Sequence, residues 1–275
     1  MADNIGLTSK IKNDLKKLGS KPKKSLGQNF LVAESAYKKI ISALELRPDE
    51  TVIEVGPGLG TLTEHLAKSK ASVIAVEKDD VLSEFLKNKF SNQKNVTIIN
   101  SDILSYKLSA ISYKLVGNIP YYLTSHLIRT VLENWPTPNS IVLMLQKEVA
   151  QRIVAKPPHM SLLAVSVQYY AEAKIISYVK KESFWPAPKV DSAIVRLAPH
   201  TRTDWDRPGT DLFFKVVKAG FSAKRKQLGN NLSASLKISK TEAENKLNSA
   251  DIDPQRRAET LTVEEWLGLT ERFIV

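Results

Sequence analysis

Within six residues, Gly117-Asn-Ile-Pro-Tyr-Tyr122 brings together an amide, a backbone carbonyl held by a following proline, and the aromatic ring of Tyr121. The run before it, Lys114-Leu-Val-Gly117, has the composition of a short buried strand, so the set stands at a strand's C-terminal end. The chemistry such a set can perform is specific. The exocyclic N6 of adenine is a poor nucleophile because its lone pair is delocalised into the ring. Two acceptors, the Asn118 side-chain oxygen and the Ile119 carbonyl, would bind both amino hydrogens and draw the nitrogen toward tetrahedral geometry. Tyr121 would stack on a base swung out of its helix. No general base is needed before attack, because the nitrogen becomes acidic only once alkylated. The plain structural alternative is a proline turn with a packed tyrosine.

A second constellation is Glu54-Val-Gly-Pro-Gly-Leu-Gly-Thr61, where a strand gives way to a helix. Glycines there let the backbone approach a ligand, and a helix start offers free N–H groups. The dinucleotide fingerprint G-x-G-x-x-G/A is not met, because Thr61 follows Gly60. Glu77 ends the next strand, where a ribose-binding carboxylate belongs, and Asp102 after the third strand is placed to accept from an adenine amino group. Together they point to an adenosine-containing cofactor, against the alternatives of a tight turn without ligand and an aspartate helix cap.

These residues need a scaffold that delivers them to one place. Runs 51–55, 72–76, 96–99, 114–117 and 140–146 are short and rich in aliphatic residues, and read as buried parallel strands. Segments 61–70, 79–90 and 123–134 between them have helical periodicity, with Asp79 and Thr124 as N-caps. The alternation predicts a doubly wound α/β sheet. Runs 173–179 and 190–197 read as an antiparallel pair closing one edge. The polar stretch 201–209 ends in Pro208-Gly209, and only helical periodicity follows. The expected division is 1–205 and 206–275, the latter a small all-helical domain.

The chain has 275 residues and a formal charge of +11, with 43% hydrophobic residues, which suits an ordinary globular protein. It has no cysteine, so disulfides, thiolate nucleophiles and cysteine metal sites are excluded, and its four histidines lack ligand spacing. No apolar run is long enough for a membrane span and no secretory signal opens the chain, which predicts a cytoplasmic protein. No long exposed apolar helix is evident, which predicts a monomer. The charge is concentrated: residues 1–33 hold seven lysines against Asp3 and Asp14, and residues 212–241 hold seven basic residues and no acid. Such segments suit a polyanion, with nucleic acid the commonest, and equally suit solvated helix faces.

The order Gln28-Asn-Phe-Leu31, Glu54-Val-Gly-Pro-Gly58, Val76-Glu77, Asp102, Asn118-Ile-Pro-Tyr121, Leu145-Gln-Lys-Glu148 and Phe184-Trp-Pro-Ala-Pro-Lys-Val-Asp-Ser192 resembles the S-adenosylmethionine-dependent ribosomal RNA adenine dimethyltransferases. The likeness runs from about Lys23 to Trp266. It is greater to the small-subunit branch than to the macrolide-resistance methylases, through Phe184–Leu197, Phe221-Ser-Ala-Lys-Arg-Lys226, Gly229-Asn-Asn-Leu232 and Ile252-Asp-Pro-Gln-Arg-Arg-Ala-Glu259. Two departures are Ile119, where the small-subunit branch more often has Leu, and Lys156-Pro-Pro-His-Met-Ser161, where the family usually has a Tyr-Gly-containing turn.

The resemblance implies a Rossmann-like methyltransferase fold with a mostly parallel seven-stranded sheet and a helical C-terminal domain. It implies S-adenosylmethionine as cofactor and no metal. Asn29 and Leu31 would line its methionine end, Gly56 would lie beneath it, Glu77 would take the ribose hydroxyls, Asp102 the adenine amino group, and Asn118 would bridge cofactor and target. Phe184 would face Tyr121 as the second half of an aromatic clamp. Lys23 and Lys24, leading into the active site, and Lys224, Arg225 and Lys226, beginning a helical patch, would hold RNA phosphates. The implied reaction is dimethylation of N6 of two adjacent adenosines near the 3′ end of 16S ribosomal RNA, in the 30S subunit or its precursor, contributing to subunit biogenesis. The alternatives are a large-subunit adenine methylase conferring macrolide resistance and a non-catalytic RNA-binding assembly factor. A nicotinamide dehydrogenase does not fit the glycine spacing and leaves Asn118 and Tyr121 without a role.

Overall fold

A computed structural model describes the backbone of residues 2–108, 112–200 and 209–274, with the side chains of 2–5 and of Tyr121 outside the description. Its contacts divide the chain into two units, Met1–Ala150 with Ala173–Pro199, and Gln151–Glu172 with His200–Val275.

The first unit opens with α1 (Ala2–Lys17), which buries Ile11 and Leu15, and a two-residue strand β1 (Phe30–Leu31). Helix α2 (Glu34–Leu44) leads to the repeating part: β2 (Thr51–Val55), α3 (Thr61–Ala67), β3 (Ser72–Glu77), α4 (Asp80–Lys89), β4 (Val96–Asn100), β5 (Lys114–Asn118), α5 (Thr124–Glu133) and β6 (Ser140–Gln146). Helix α6 (Lys147–Ile153) then leads toward the second unit, where α7 (Leu162–Tyr170) lies. The chain returns through β7 (Ala171–Val179), β8 (Phe184–Trp185) and β9 (Ser192–Pro199).

The sheet order is β4-β3-β2-β5-β6-β9-β7, seven strands as the family likeness implies. Strands β2 to β6 pair in parallel and β9 runs antiparallel to β6. Val52, Ile53, Leu115, Val116, Val142 and Leu143 are all buried, as expected of parallel strands covered on both faces. The winding reverses between β2 and β5, which is where a crevice opens beyond the strand ends. Register does the aligning: Val55 pairs with Val76 on one side and Gly117 on the other, and Glu77 pairs with Asn100. The residues following β2, β3, β4 and β5 therefore leave the sheet at one edge, side by side.

Asp79 caps α4 as expected, its carboxylate accepting from the Val81 and Leu82 N–H groups. Thr124 does not cap α5. A 3₁₀ turn, Tyr121–Leu123, runs directly into the helix, so Leu123 takes the cap position without a side-chain bond and Thr124 is buried as the first helical residue.

The second unit contains α8 (Thr210–Gly220), α9 (Leu228–Leu236), α10 (Lys240–Asn248) and α11 (Val263–Glu271). Its apolar cluster also takes in Met160, Ala164, Val165 and Tyr169. Residues 151–172 thus lie with the C-terminal helices, whereas the sequence reading puts one boundary near residue 205; residues 201–208 around that boundary are outside the described residues. The physical reason is the composition of α7, Leu-Leu-Ala-Val-Ser-Val-Gln-Tyr-Tyr, which is apolar nearly all round and stacks Tyr169 on Phe213 at 4.2 Å. In the variant turn 156–161, Met160 is buried and donates its N–H to the Glu259 carbonyl at 2.9 Å.

Candidate active site

The crevice beyond β2 and β5 is a cavity of about 330 Å3. Its walls include Gln28, Asn29, Leu31, Glu54, Gly56, Gly58, Glu77, Lys78, Asp102, Asn118 and Tyr122, contributed by the ends of β2, β3, β4 and β5 and by the N-terminal segment.

Gly56 has φ +65°, and a Cβ there would meet no atom within 4 Å, so the residue leaves open the cavity floor that a side chain would enter. Gly60 answers a different need: at φ +78° a Cβ would lie 2.7 Å from Leu86 and Phe90, so only glycine lets α4 pack this close to the turn.

Glu77 is buried, and each oxygen takes one backbone N–H, Oε2 from Gly58 at 3.0 Å and Oε1 from Asp79 at 2.9 Å. Burial raises its pKa, while those two bonds pull the other way. Glu54, fully buried behind it, accepts from the Thr63 hydroxyl at 2.6 Å, and burial pushes its carboxyl up to about 8. Asp102 caps the next turn through Leu104 N–H at 3.0 Å and accepts from Lys78 Nζ at 2.8 Å. That bond holds Asp102 below the ordinary carboxylate range and Lys78 above the ordinary ammonium range.

Asn118 donates its amide nitrogen to the Asn29 carbonyl at 3.0 Å. A carbonyl only accepts, so the bond fixes which end of the amide is which and leaves the oxygen as the acceptor offered to the cavity. Asn29 donates its own amide to the Gly27 carbonyl at 3.0 Å, and Tyr37 OH donates to the Leu31 carbonyl at 2.8 Å, pinning the segment that carries both residues.

The cofactor-site residues expected from the sequence, Asn29, Leu31, Gly56, Glu77, Asp102 and Asn118, all line this one cavity. Phe184 does not. It pairs with Leu31 across the short sheet, its side chain is buried in the apolar cluster with Tyr37 and Ile194, and it lines no described cavity. Side chains alternate along a strand, so its neighbour Trp185 faces the opposite way and lines a second cavity. Tyr121 begins the turn after β5, with its side chain outside the described residues. Lys23 is held by Asp79, Nζ to Oδ2 at 2.8 Å, while Lys24 is exposed. Lys224, Arg225 and Lys226 are exposed in the turn between α8 and α9 rather than in a helix. Lys78 and Tyr122 are cavity residues that the sequence reading passes over. They follow recognised positions, but a lysine or a second tyrosine there has no signature until the chain is folded.

The donor set suits S-adenosylmethionine. Glu77 and Asp102 offer acceptors for a diol and an amino group, the wall is acidic enough to favour a cation, and the cradle at Gly56 has room that a Cβ would fill. Among the described residues no group of three or more His, Cys, Asp or Glu is arranged to hold a metal.

Among solved structures, the 23S rRNA methyltransferase ErmE is 30% identical with a TM-score of 0.75, covering 89% of this chain and 99% of that one. A dimethyladenosine transferase from Plasmodium falciparum is 25% identical with a TM-score of 0.77, covering 87% and 95%. Fold and site define a Rossmann-like, S-adenosylmethionine-dependent methyltransferase. The family described as ribosomal RNA adenine dimethylase matches residues 19–274, and the chain belongs to that family. Curated relatives called ribosomal RNA small subunit methyltransferase A include one from Dehalococcoides mccartyi, 47% identical over 254 residues, 90% of this chain and 87% of its own. Another, from Lysinibacillus sphaericus, is 38% identical over 285 residues, 98% and 97%.

Proposed function

We propose that this enzyme transfers methyl groups from S-adenosylmethionine to N6 of two adjacent adenosines near the 3′ end of small-subunit ribosomal RNA, two to each. The observation that carries it is the Asn118–Asn29 bond, which presents an amide oxygen at the end of β5 in the cavity that the cofactor set lines. Support for the small-subunit substrate comes from the relatives: those named for that subunit are 47% and 38% identical, against 30% for the 23S enzyme.

The cofactor would supply a methyl group on a positively charged sulfur, its S–CH3 bond breaking as the N6–CH3 bond forms so that neutral S-adenosylhomocysteine leaves. Glu77, with one oxygen tied to Gly58 and the other to Asp79, keeps lone pairs for the ribose hydroxyls. Asp102 accepts from the adenine amino group beside its bond to Lys78. Asn29 and Leu31, which line the same cavity, would border the methionine end, and Gly56 would lie below it. On the target, the Asn118 oxygen and the Ile119 carbonyl accept the two N6 hydrogens, localising the lone pair, while Tyr121 supports the base by stacking. The proton leaves N6 for solvent after transfer, so no buried base is required. Lys24 and the Lys224–Arg225–Lys226 turn hold phosphates, with the C-terminal helices serving as an RNA-binding domain. Lys23 contributes through its pairing with Asp79. The enzyme acts as a monomer in the cytoplasm, where its substrate is assembled.

The test is methyl transfer from labelled S-adenosylmethionine to small subunits from a strain lacking the modification, with large subunits and free RNA in parallel and nucleoside analysis of the products. Dimethyladenosine in the small subunits alone is expected. Label in large-subunit RNA would instead favour the macrolide-resistance reading, and no label a binding factor.

A further inference from the structure

Two sequence motifs remain without a task in the mechanism above, Leu145-Gln-Lys-Glu148 and the stretch after Phe184. The fold joins them: Lys147 donates its N–H to the Asp191 carbonyl at 3.0 Å, and both motifs reach a second cavity of about 480 Å3. Gln146, Trp185, Pro188 and Lys189 line it together with Lys21 and Lys24. Residues 27–29 are shared with the first cavity, so the two spaces are neighbours across a single segment of backbone.

Their linings differ in sign. Glu77 and Asp102 outnumber Lys78 in the first, where burial keeps Glu54 protonated; three lysines and no acid line the second, and Lys12 adds a fourth ammonium 5.4 Å from the Trp185 ring centroid. An indole and prolines with lysines, and the Gln146 amide to read an edge, match a nucleotide: ring on apolar wall, phosphates on ammonium groups. A free anion would leave the apolar wall unused, and an apolar peptide would leave the lysines unpaired.

We propose that this cavity seats the RNA nucleotide next to the one being methylated, its base against Trp185 and Pro188 and its phosphates on Lys21, Lys24 and Lys189. The inference rests on the adenosine-methylating reading and deepens it. When the targets are adjacent, the second adenosine occupies this seat while the first reacts, so Trp185 is a positioning residue that governs whether both are modified.

The test uses the full chain. Lys21→Gln with Lys189→Gln alters two exposed side chains; it should raise KM for small subunits about tenfold, leave kcat within about twofold and leave cofactor affinity unchanged. Binding of a labelled single-stranded RNA hexanucleotide should have a salt slope shallower by about 0.7 for each lost contact. Trp185→Leu should shift products from two dimethylated adenosines toward one, and Trp185→Phe should restore the pair. Melting curves separate this from lost folding, since Trp185 also packs against the cluster around Phe30. Wild-type transfer with KM, salt slope and product pattern unchanged in all three variants would overturn the inference. No transfer by the wild type, with the slope still reduced, would overturn the proposed reaction and leave the nucleotide seat standing.

Discussion

Asn118 illustrates how one side chain acquires a chemical direction. Its nitrogen is committed to the Asn29 carbonyl, so the oxygen is presented without a search among rotamers. Asn118→Ala should lower kcat by at least about 100-fold while cofactor binding stays measurable by calorimetry, because the lost bond acts mainly in the transition state. Near-normal turnover would remove the mechanism. Glu54 gives a pH signature. Burial raises its pKa from the ordinary 4.5 to about 8, so across that interval the native state binds more protons than the unfolded chain. Its contribution to stability is complete below the lower value and is lost as pH rises through the upper one. Glu54→Gln keeps an acceptor for Thr63 and cannot ionise. The melting temperature of this variant, measured against wild type, should gain steadily with pH across that window, at about 2–4 °C per kcal/mol. A constant difference would show that Glu54 is ionised throughout.

Elements explain why C-terminal motifs with no catalytic chemistry are so specific. Asn231, buried in α9, donates to the Gly220 carbonyl at 2.6 Å and the Ala223 carbonyl at 3.0 Å, closing the end of α8 and the start of the Lys224–Lys226 turn. Leu228 and Gly229 donate their N–H groups to Arg256 and Pro254, so the Asp-Pro-Gln-Arg-Arg segment anchors the start of the same helix. Arg256 is in turn held by Glu265 and the Thr260 carbonyl. Asn231→Ala strands two carbonyls and should cost about 1–3 kcal/mol, read as a lower melting temperature, with a raised KM for RNA and unchanged cofactor affinity. Gly220→Ala would place a Cβ 2.3 Å from the Trp266 ring, an overpacking of about 1–3 kcal/mol that denaturant titration would detect.

For the whole molecule the charge excess of +11 matters through its placement. Lysines surround the second cavity, while carboxylates line the first. A polyanion and a cationic cofactor are thereby each met by the opposite sign. Added salt should weaken RNA binding steeply while changing cofactor affinity little, and replacing Lys224, Arg225 and Lys226 together by Gln should make the RNA slope shallower with kcat preserved. Parallel salt titrations of the two ligands check this; equal slopes would contradict it.

The parallel core strands were legible from aliphatic runs, because burial on both faces leaves no polar alternation to confuse the reading. The cofactor-site residues were legible because each stands at a strand end marked by its own short motif. Composition alone excluded cysteine chemistry. Other features were decided by tertiary contacts. Helix α7 is apolar nearly all round, so its periodicity names no partner, and only packing on Phe213 assigns it to the C-terminal helices. Phe184 and Trp185 are adjacent aromatics in one motif. Pairing with β1 turns the first into the core and the second to a cavity, and a shift of one residue would exchange them. The Lys78–Asp102 and Lys23–Asp79 pairs join residues from different strand ends and loops. Sequence determined which chemistry stands at the ends of the strands, since local composition encodes it; register and packing decided which neighbouring side chain faces it, since that depends on residues far apart in the chain.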